Sequence, residues 1–304
     1  MKRKLVTFDW AMKKLLRSKA NFDILEGFLS ELLKENIKII AILESESNKI
    51  SAKDKFNRVD IKVTNQHNEI ILIEIQYDRE LDYFQRIIYG SSKAITEHID
   101  ESQPYSSVIK VISINIIYFD IGYGSDYVYH GKTVFKGLHN NDILNLSEGQ
   151  KKIFDIHEIH NIFPEYYLIK INNFNDIAKD SLDEWIYFLK NGDIQERFNA
   201  KGIKKAKKAL DVLKLSEKER LAYEKYVDNL HYQASMYEST YKYGRVEGQE
   251  EGRKIGREEG REEGREEGKL ETARNMLAIN IDLDTIIKVT GLTKENILRL
   301  QNNN

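Results

Sequence analysis

The chain has 304 residues, 41% hydrophobic and 32% charged, which is enough for a sizeable core and two folded units. It contains no cysteine, which excludes disulfides, cysteine-ligated zinc and a thiol nucleophile, and fits a cytoplasmic protein. The formal net charge is -2, so any binding to nucleic acid must rest on a local basic surface and not on a global field.

Met1-Lys2-Arg3-Lys4 is basic but leads into an amphipathic pattern, so no signal peptide is expected. No apolar stretch is long enough to span a bilayer. Thr7 is placed to cap a first helix carrying Phe8, Met12, Leu15 and Leu16 at helical spacing. Asn21 is placed to cap a second, with Leu25, Phe28, Leu29, Leu32 and Leu33 as its apolar stripe. Glu26 and Glu31 on this helix read as solvated acids. Ile37 to Leu43 predicts a strand, and Glu44 to Lys55 a polar loop.

Arg58 to Gln76, RVDIKVTNQHNEIILIEIQ, predicts a β-hairpin around the turn-forming Asn65-Gln66-His67-Asn68. Alternation puts Val59, Ile61, Val63, Ile71, Ile73 and Ile75 on one apolar face, against a core. Arg58, Asp60, Lys62, Glu74 and Gln76 lie on the other. A turn centred on His67 sets Asp60 opposite Glu74. Facing carboxylates repel, so something positive is expected between them. An ion pair with Lys62 or Arg58 is one answer, and a divalent metal with oxygen ligands is the other.

Tyr77 to Ile99 predicts a helix with Leu81, Phe84, Ile87, Ile88 and Ile95 on one side, and with Arg86 and Tyr89 sharing a face. Ser107 to Phe119 reads as a central strand. Asp126 to Phe135 predicts another, and Lys152 to Ile171 one or two more, broken near Pro164. His157-Glu158-Ile159-His160 lacks the spacing of a zinc-protease motif, so its histidines read as structural or surface groups. Ser181 to Lys190 predicts a capped helix with Trp185 and Phe188 turned inward. The Lys201 to Lys208 cluster reads first as a solvated helix surface and second as a DNA-backbone contact.

Ser216 and Glu219 form a capping box before a long helix running past Tyr243. From Gly244 to Gly268 a glycine falls at every fourth residue, and Arg-Glu-Glu-Gly recurs three times in succession. Each glycine costs a helix about 1 kcal/mol relative to alanine, so the repeat is either a helix stabilised by self-association or a flexible charged linker. Asp282 to Thr290 and Lys294 to Leu300 predict two short helices, with Ile286, Ile287, Val289, Leu292, Ile297 and Leu298 as a small core. The expected division is a core over 1–175, a helical region over 176–243, the repeat over 244–268 and a tail over 269–304.

An acid on one strand, followed by Glu-Xaa-Gln inside the apolar run of the next, resembles the PD-(D/E)XK nuclease core. Arg58-Val59-Asp60, Ile73-Glu74-Ile75-Gln76 and Arg86-Ile87-Ile88-Tyr89 are similar to its recombination-promoting nuclease and transposase branch. Phe8-Asp9-Trp10 with Lys13-Lys14-Leu15, the segment from Ser181 and the helix-turn-helix-like tail extend the resemblance over most of the chain. It implies an α/β fold: a restriction-endonuclease-like mixed sheet flanked by helices, then an α-helical C-terminal region with a Gly-periodic charged helix. Asp60 matches the motif's first acid, Glu74 its second, and Gln76 the position that is lysine in most of the superfamily. The proline of the motif is replaced by Val59.

The activity implied is Mg2+-dependent hydrolysis of DNA phosphodiesters, with Mn2+ as a substitute ion. Asp60, Glu74 and the backbone carbonyl of Ile75 would hold the metal, and Gln76 would orient the attacking water. Lys62 would replace the missing cation, and Arg86 and Tyr89 would contact phosphate or support the site. The implied partners are DNA and further copies of the chain through the C-terminal helices, with no membrane. The tail lacks basic recognition residues, which favours docking or oligomerisation over sequence reading. The rival is a non-catalytic DNA- or protein-binding assembly factor, recognised by acids that are separated or each neutralised by Arg or Lys. An RNA-directed or toxin-type nuclease would share the same site.

Overall fold

The computed structural model describes residues 5–8, 10–11, 18–43, 60–212 and 215–302. The loop expected from Glu44 to Lys55, the Arg58-Val59 start of the hairpin, and Asp9, Met12, Leu15 and Leu16 of the first helix lie outside the described residues. Two compact units are formed, Met1–Tyr226 and Val227–Asn304. Among the described residues no helix is long and apolar enough to cross a membrane.

In the first unit the elements are α1 (Phe22–Leu33), β1 (Ile39–Leu43), β2 (Ile61–Asn65), β3 (Ile70–Gln76), α2 (Tyr83–Thr96), β4 (Val111–Ile117), β5 (Val128–Gly131), α3 (Glu148–Phe154), β6 (Glu165–Lys170), α4 (Ser181–Asn191) and α5 (Ile203–Ala209). The strands form one mixed sheet in the order β1-β2-β3-β4-β6-β5. β3, β4 and β6 are parallel, and β1, β2 and β5 run antiparallel to their neighbours as the order requires. This is the restriction-endonuclease-like α/β fold that the resemblance implies.

The hairpin turns where its side chains satisfy the backbone. Asn65 Oδ1 accepts the N–H groups of His67 and Glu69, at 3.1 and 2.9 Å, and Asn68 takes a positive φ of 59°. Asparagine supports both roles: its amide mimics a backbone acceptor, and it tolerates the left-handed region. The turn sets the register, pairing Thr64 with Ile70 and Ile61 with Ile73.

Helices cover both faces of the sheet. On one, Phe28 of α1, Trp185 and Phe188 of α4, and Phe8 form an edge-to-face aromatic cluster, with Phe28–Trp185 centroids 5.9 Å apart. Gly27 is required there, because a Cβ would stand 2.2 Å from the Lys201 carbonyl oxygen. On the other, Tyr83, Ile87 and Ala94 of α2 lie over Ile70, Leu72, Val111 and Ile117. The hairpin's second face is therefore covered by a helix.

Several expectations change. Glu26 is buried rather than solvated: it pairs with Lys38 Nζ at 3.0 Å and accepts the Ile39 N–H at 2.9 Å, so it anchors the start of β1. Glu31 bonds Ser181 Oγ and accepts the Lys201 N–H at 3.1 Å, tying α1 to the start of α4. α2 begins at Tyr83 and not at Tyr77, whose ring stacks on Tyr118 at 4.3 Å. Its buried row is Tyr83, Ile87, Gly90 and Ala94, and Leu81, Phe84 and Ile88 face solvent. β5 is limited to Val128–Gly131. Lys152 lies in α3, started by a Ser147–Gln150 capping box, so only β6 remains of the strands expected from Lys152 to Ile171. His157 and His160 lie at a bend and a 3-10 turn, with His160 Nδ1 2.9 Å from Glu158. In the basic cluster Lys205 pairs with Asp23 at 2.6 Å and Lys207 with Glu196 at 2.5 Å.

α6 (Glu217–Ala278) starts at the expected capping box, with Glu219 N–H on Ser216 Oγ at 3.3 Å, and runs unbroken through the glycine repeat. In the second unit it is followed by α7 (Leu283–Thr290), capped by Asp282, and α8 (Lys294–Asn302). Ala273, Ile286, Leu292 and Ile297 form the core there, while Val289 and Leu298 are exposed.

Candidate active site

The hairpin register, continued one residue past Ile61–Ile73, sets Asp60 across from Glu74. Asp60 lies just before β2, where the ladder ends. Its Oδ2 accepts the Ile75 N–H at 2.7 Å, in place of the backbone carbonyl a longer strand would supply. The N–H and C=O of one strand residue point to the same side, so the Ile75 carbonyl is directed toward the Asp60 edge. Two carboxylates and one backbone oxygen thus gather at one corner of the sheet.

Glu74 lies under α2 and is only 7% exposed. Arg86 Nη2 stands 2.5 Å from Glu74 Oε1, yet no hydrogen bond reaches that oxygen, and Arg86 Nε has no acceptor either. Burial pushes the Glu74 carboxyl up to about 7; Arg86 opposes the rise, and Asp60 and Glu80 reinforce it. Arg86 itself is held above its ordinary value, because Glu74 and Glu80 outweigh the effect of its burial. The Tyr83 hydroxyl, raised first by burial and then by the Glu74 charge, stays protonated and donates to Asn115 Oδ1 at 3.3 Å. Asn115, paired with Glu74 across β3 and β4, donates in turn to Ser113 Oγ at 3.0 Å.

Gln76 lies on the same face, two residues along. Its Nε2 donates to Glu80 Oε1 at 3.0 Å and faces the Asp78 carbonyl at 3.3 Å, leaving the amide oxygen as an acceptor. Arg86 Nη1 reaches the same Glu80 oxygen at 2.5 Å. One guanidinium therefore bridges Glu74 and Glu80. Glu80 is absent from the sequence-based residue set; its only signal is an acid placed shortly after the strand that carries Glu74 and Gln76.

Of the expected residues, Asp60, Glu74, Ile75, Gln76 and Arg86 come together. Lys62 does not supply the cation beside Glu74, because its ammonium is taken by Glu97 at 3.0 Å. Tyr89 is on the outer side of α2, 42% exposed, with no contact to the two acids. Among the described residues no group of three or more His, Asp or Glu gathers as a metal cage. Two carboxylates and a carbonyl suit magnesium, which keeps several waters and dispenses with an all-protein cage.

Residues 6–240 match a family described as PD-(D/E)XK nuclease family transposase. Residues 266–302 match the C-terminal HTH domain of the Rpn/YhgA-like nuclease family. No protein of curated function and no solved structure matches the chain. The first match takes in the whole sheet, both covering layers and the Asp60–Glu74–Gln76 corner, and the chain belongs to the PD-(D/E)XK nuclease family transposases.

Proposed function

We propose that the chain is a Mg2+-dependent DNA endonuclease of the recombination-promoting type. The observation that carries this reading is the meeting of two acids at one corner of the sheet: the buried Glu74 lies across from Asp60, whose carboxylate accepts the Ile75 N–H.

Asp60, Glu74 and the Ile75 carbonyl would hold Mg2+, or Mn2+ in its place. When bound, the ion supplies positive charge against the scissile phosphate and acidifies a water for attack. Gln76, fixed through its Nε2 by Glu80, offers its amide oxygen to orient that water. It carries no charge and takes no proton, so it positions and does not act as base. Arg86, bridging Glu74 and Glu80, supplies positive charge at the site. The substrate is DNA, and the setting proposed is the cytoplasm. Asp60→Ala and Glu74→Ala are each expected to abolish Mg2+-dependent nicking of plasmid DNA. Cleavage retained by both, or insensitive to chelator, overturns the reading.

The contact of Arg86 with Glu74 favours a second reading, a non-catalytic DNA- or protein-binding scaffold in which the guanidinium is the final partner of the acid. The two differ in their response to divalent ions.

The α6 glycines support self-association of this chain. From Gly244 to Gly268 each would place a Cβ in open space. Gly252→Ala with Gly256→Ala is therefore expected to stabilise the helix by about 1 kcal/mol per site. If a second copy packs on that stripe, the same pair weakens the dimer in sedimentation. Unchanged association rules out the stripe as the contact.

A further inference from the structure

Among the described residues, the two cations expected to serve this site already hold carboxylates. Arg86 is engaged by Glu74 and Glu80, and Lys62 by Glu97. Gln76 stands where most of the superfamily carries lysine. The sheet register points to another candidate. Gln76 pairs with Ile117 of β4, and Ile117 pairs with Lys170 of β6. Side chains of residues side by side in neighbouring strands point to the same face. Lys170 therefore projects on the Glu74 and Gln76 face, at the same end of the sheet. Two strand spacings separate its Cα from that of Gln76, on the order of 10 Å, a gap that two long side chains and a phosphate can fill.

Lys170 is 5% exposed, so its aliphatic stem is buried. Among the described residues no carboxylate or carbonyl accepts from its ammonium, and the ammonium is not among the fully enclosed polar groups. Its tip thus reaches solvent unpaired. An anion arriving there meets a positive charge that no carboxylate among the described residues neutralises. Ile117, between the two, is apolar and fully buried, and offers no competing anion.

We propose that Lys170 is the phosphate-contacting cation of this site, acting from β6 on the non-bridging oxygens of a nucleic-acid phosphodiester. This rests on the nuclease reading. The test uses the full chain and its K170M and K170R variants, with duplex DNA bound in Ca2+ over a range of salt and cleaved in Mg2+. K170M should reduce the slope of log affinity against log salt by about one. It should lower kcat by about a hundredfold with a smaller change in KM, about 2.7 kcal/mol at 1.36 kcal/mol per decade. K170R should restore the salt slope and part of kcat. A thermal midpoint checks folding, and K170Q replaces K170M if the latter does not fold. Wild-type salt slope and wild-type kcat in the neutral variant overturn the proposal and leave the nuclease reading standing. If the wild-type chain does not cut, the nuclease reading fails, and the salt slope still decides whether Lys170 meets phosphate.

Discussion

Glu74→Gln is expected to lower Mg2+-dependent cleavage by roughly a thousandfold or more, since it removes a metal ligand from a site with few of them. The same substitution should flatten the pH dependence of stability. Burial raises the Glu74 carboxyl from 4.5 to about 7 in the folded chain. Across that window the folded chain holds a proton that the unfolded chain has released, so stability falls as pH rises. The loss is complete above pH 7 and amounts to about 3 kcal/mol. Wild type should therefore unfold more easily at about pH 8 than at about pH 5, and the Gln variant should show little of this difference. Metal binding needs the ionised carboxylate. Calorimetric Mn2+ affinity should weaken about tenfold per pH unit below 7 and level off above it. Mn2+ binding indifferent to pH, or intact in the Gln variant, contradicts the assignment of Glu74 as a ligand.

Arg86→Met should have the second largest effect, and it separates catalyst from scaffold. It leaves Glu74 and Glu80 near one another without their shared guanidinium, and it frees Gln76 from a hydrogen-bond acceptor that Arg86 helps to hold. Breaking a buried pair by removing one partner costs about 3–5 kcal/mol. The full loss is expected above pH 7, where Glu74 is charged, and a smaller one near pH 5, where it is protonated. If the site takes a metal, saturating Mg2+ replaces the lost positive charge and raises the thermal midpoint of the variant more than that of wild type. In a scaffold without a metal site, Mg2+ moves neither midpoint.

The hairpin, the central strand at Val111–Ile117 and the helix cap at Ser216 were all readable in the sequence, because each depends on neighbours within a few residues. Asn65 and Asn68 bring the turn to the right place, and strand parity then carries Asp60 to Glu74. The phase of α2 was not readable. Its apolar residues lie on two rows, and the sheet buries the row whose Tyr83 reaches Asn115 and whose Arg86 reaches Glu74. α3 was missed although Ser147 and Gln150 carry a capping box, because its short apolar run resembles a strand.

Local pattern determined the hairpin and the facing of Asp60 and Glu74, since alternation and turn chemistry act over distances shorter than the hairpin itself, and the resemblance of the motif residues implied the family and the fold class. Only the tertiary structure decided which cation each acid meets. Along the chain Lys62 and Arg58 were the cations expected beside the acids, but the packing of α2 gives Lys62 to Glu97 and brings Arg86 to Glu74 and Glu80. It also decided that Lys170, nearly a hundred residues from Gln76, ends on the same face, because parallel strands bring together positions whose separation in sequence has no period to read.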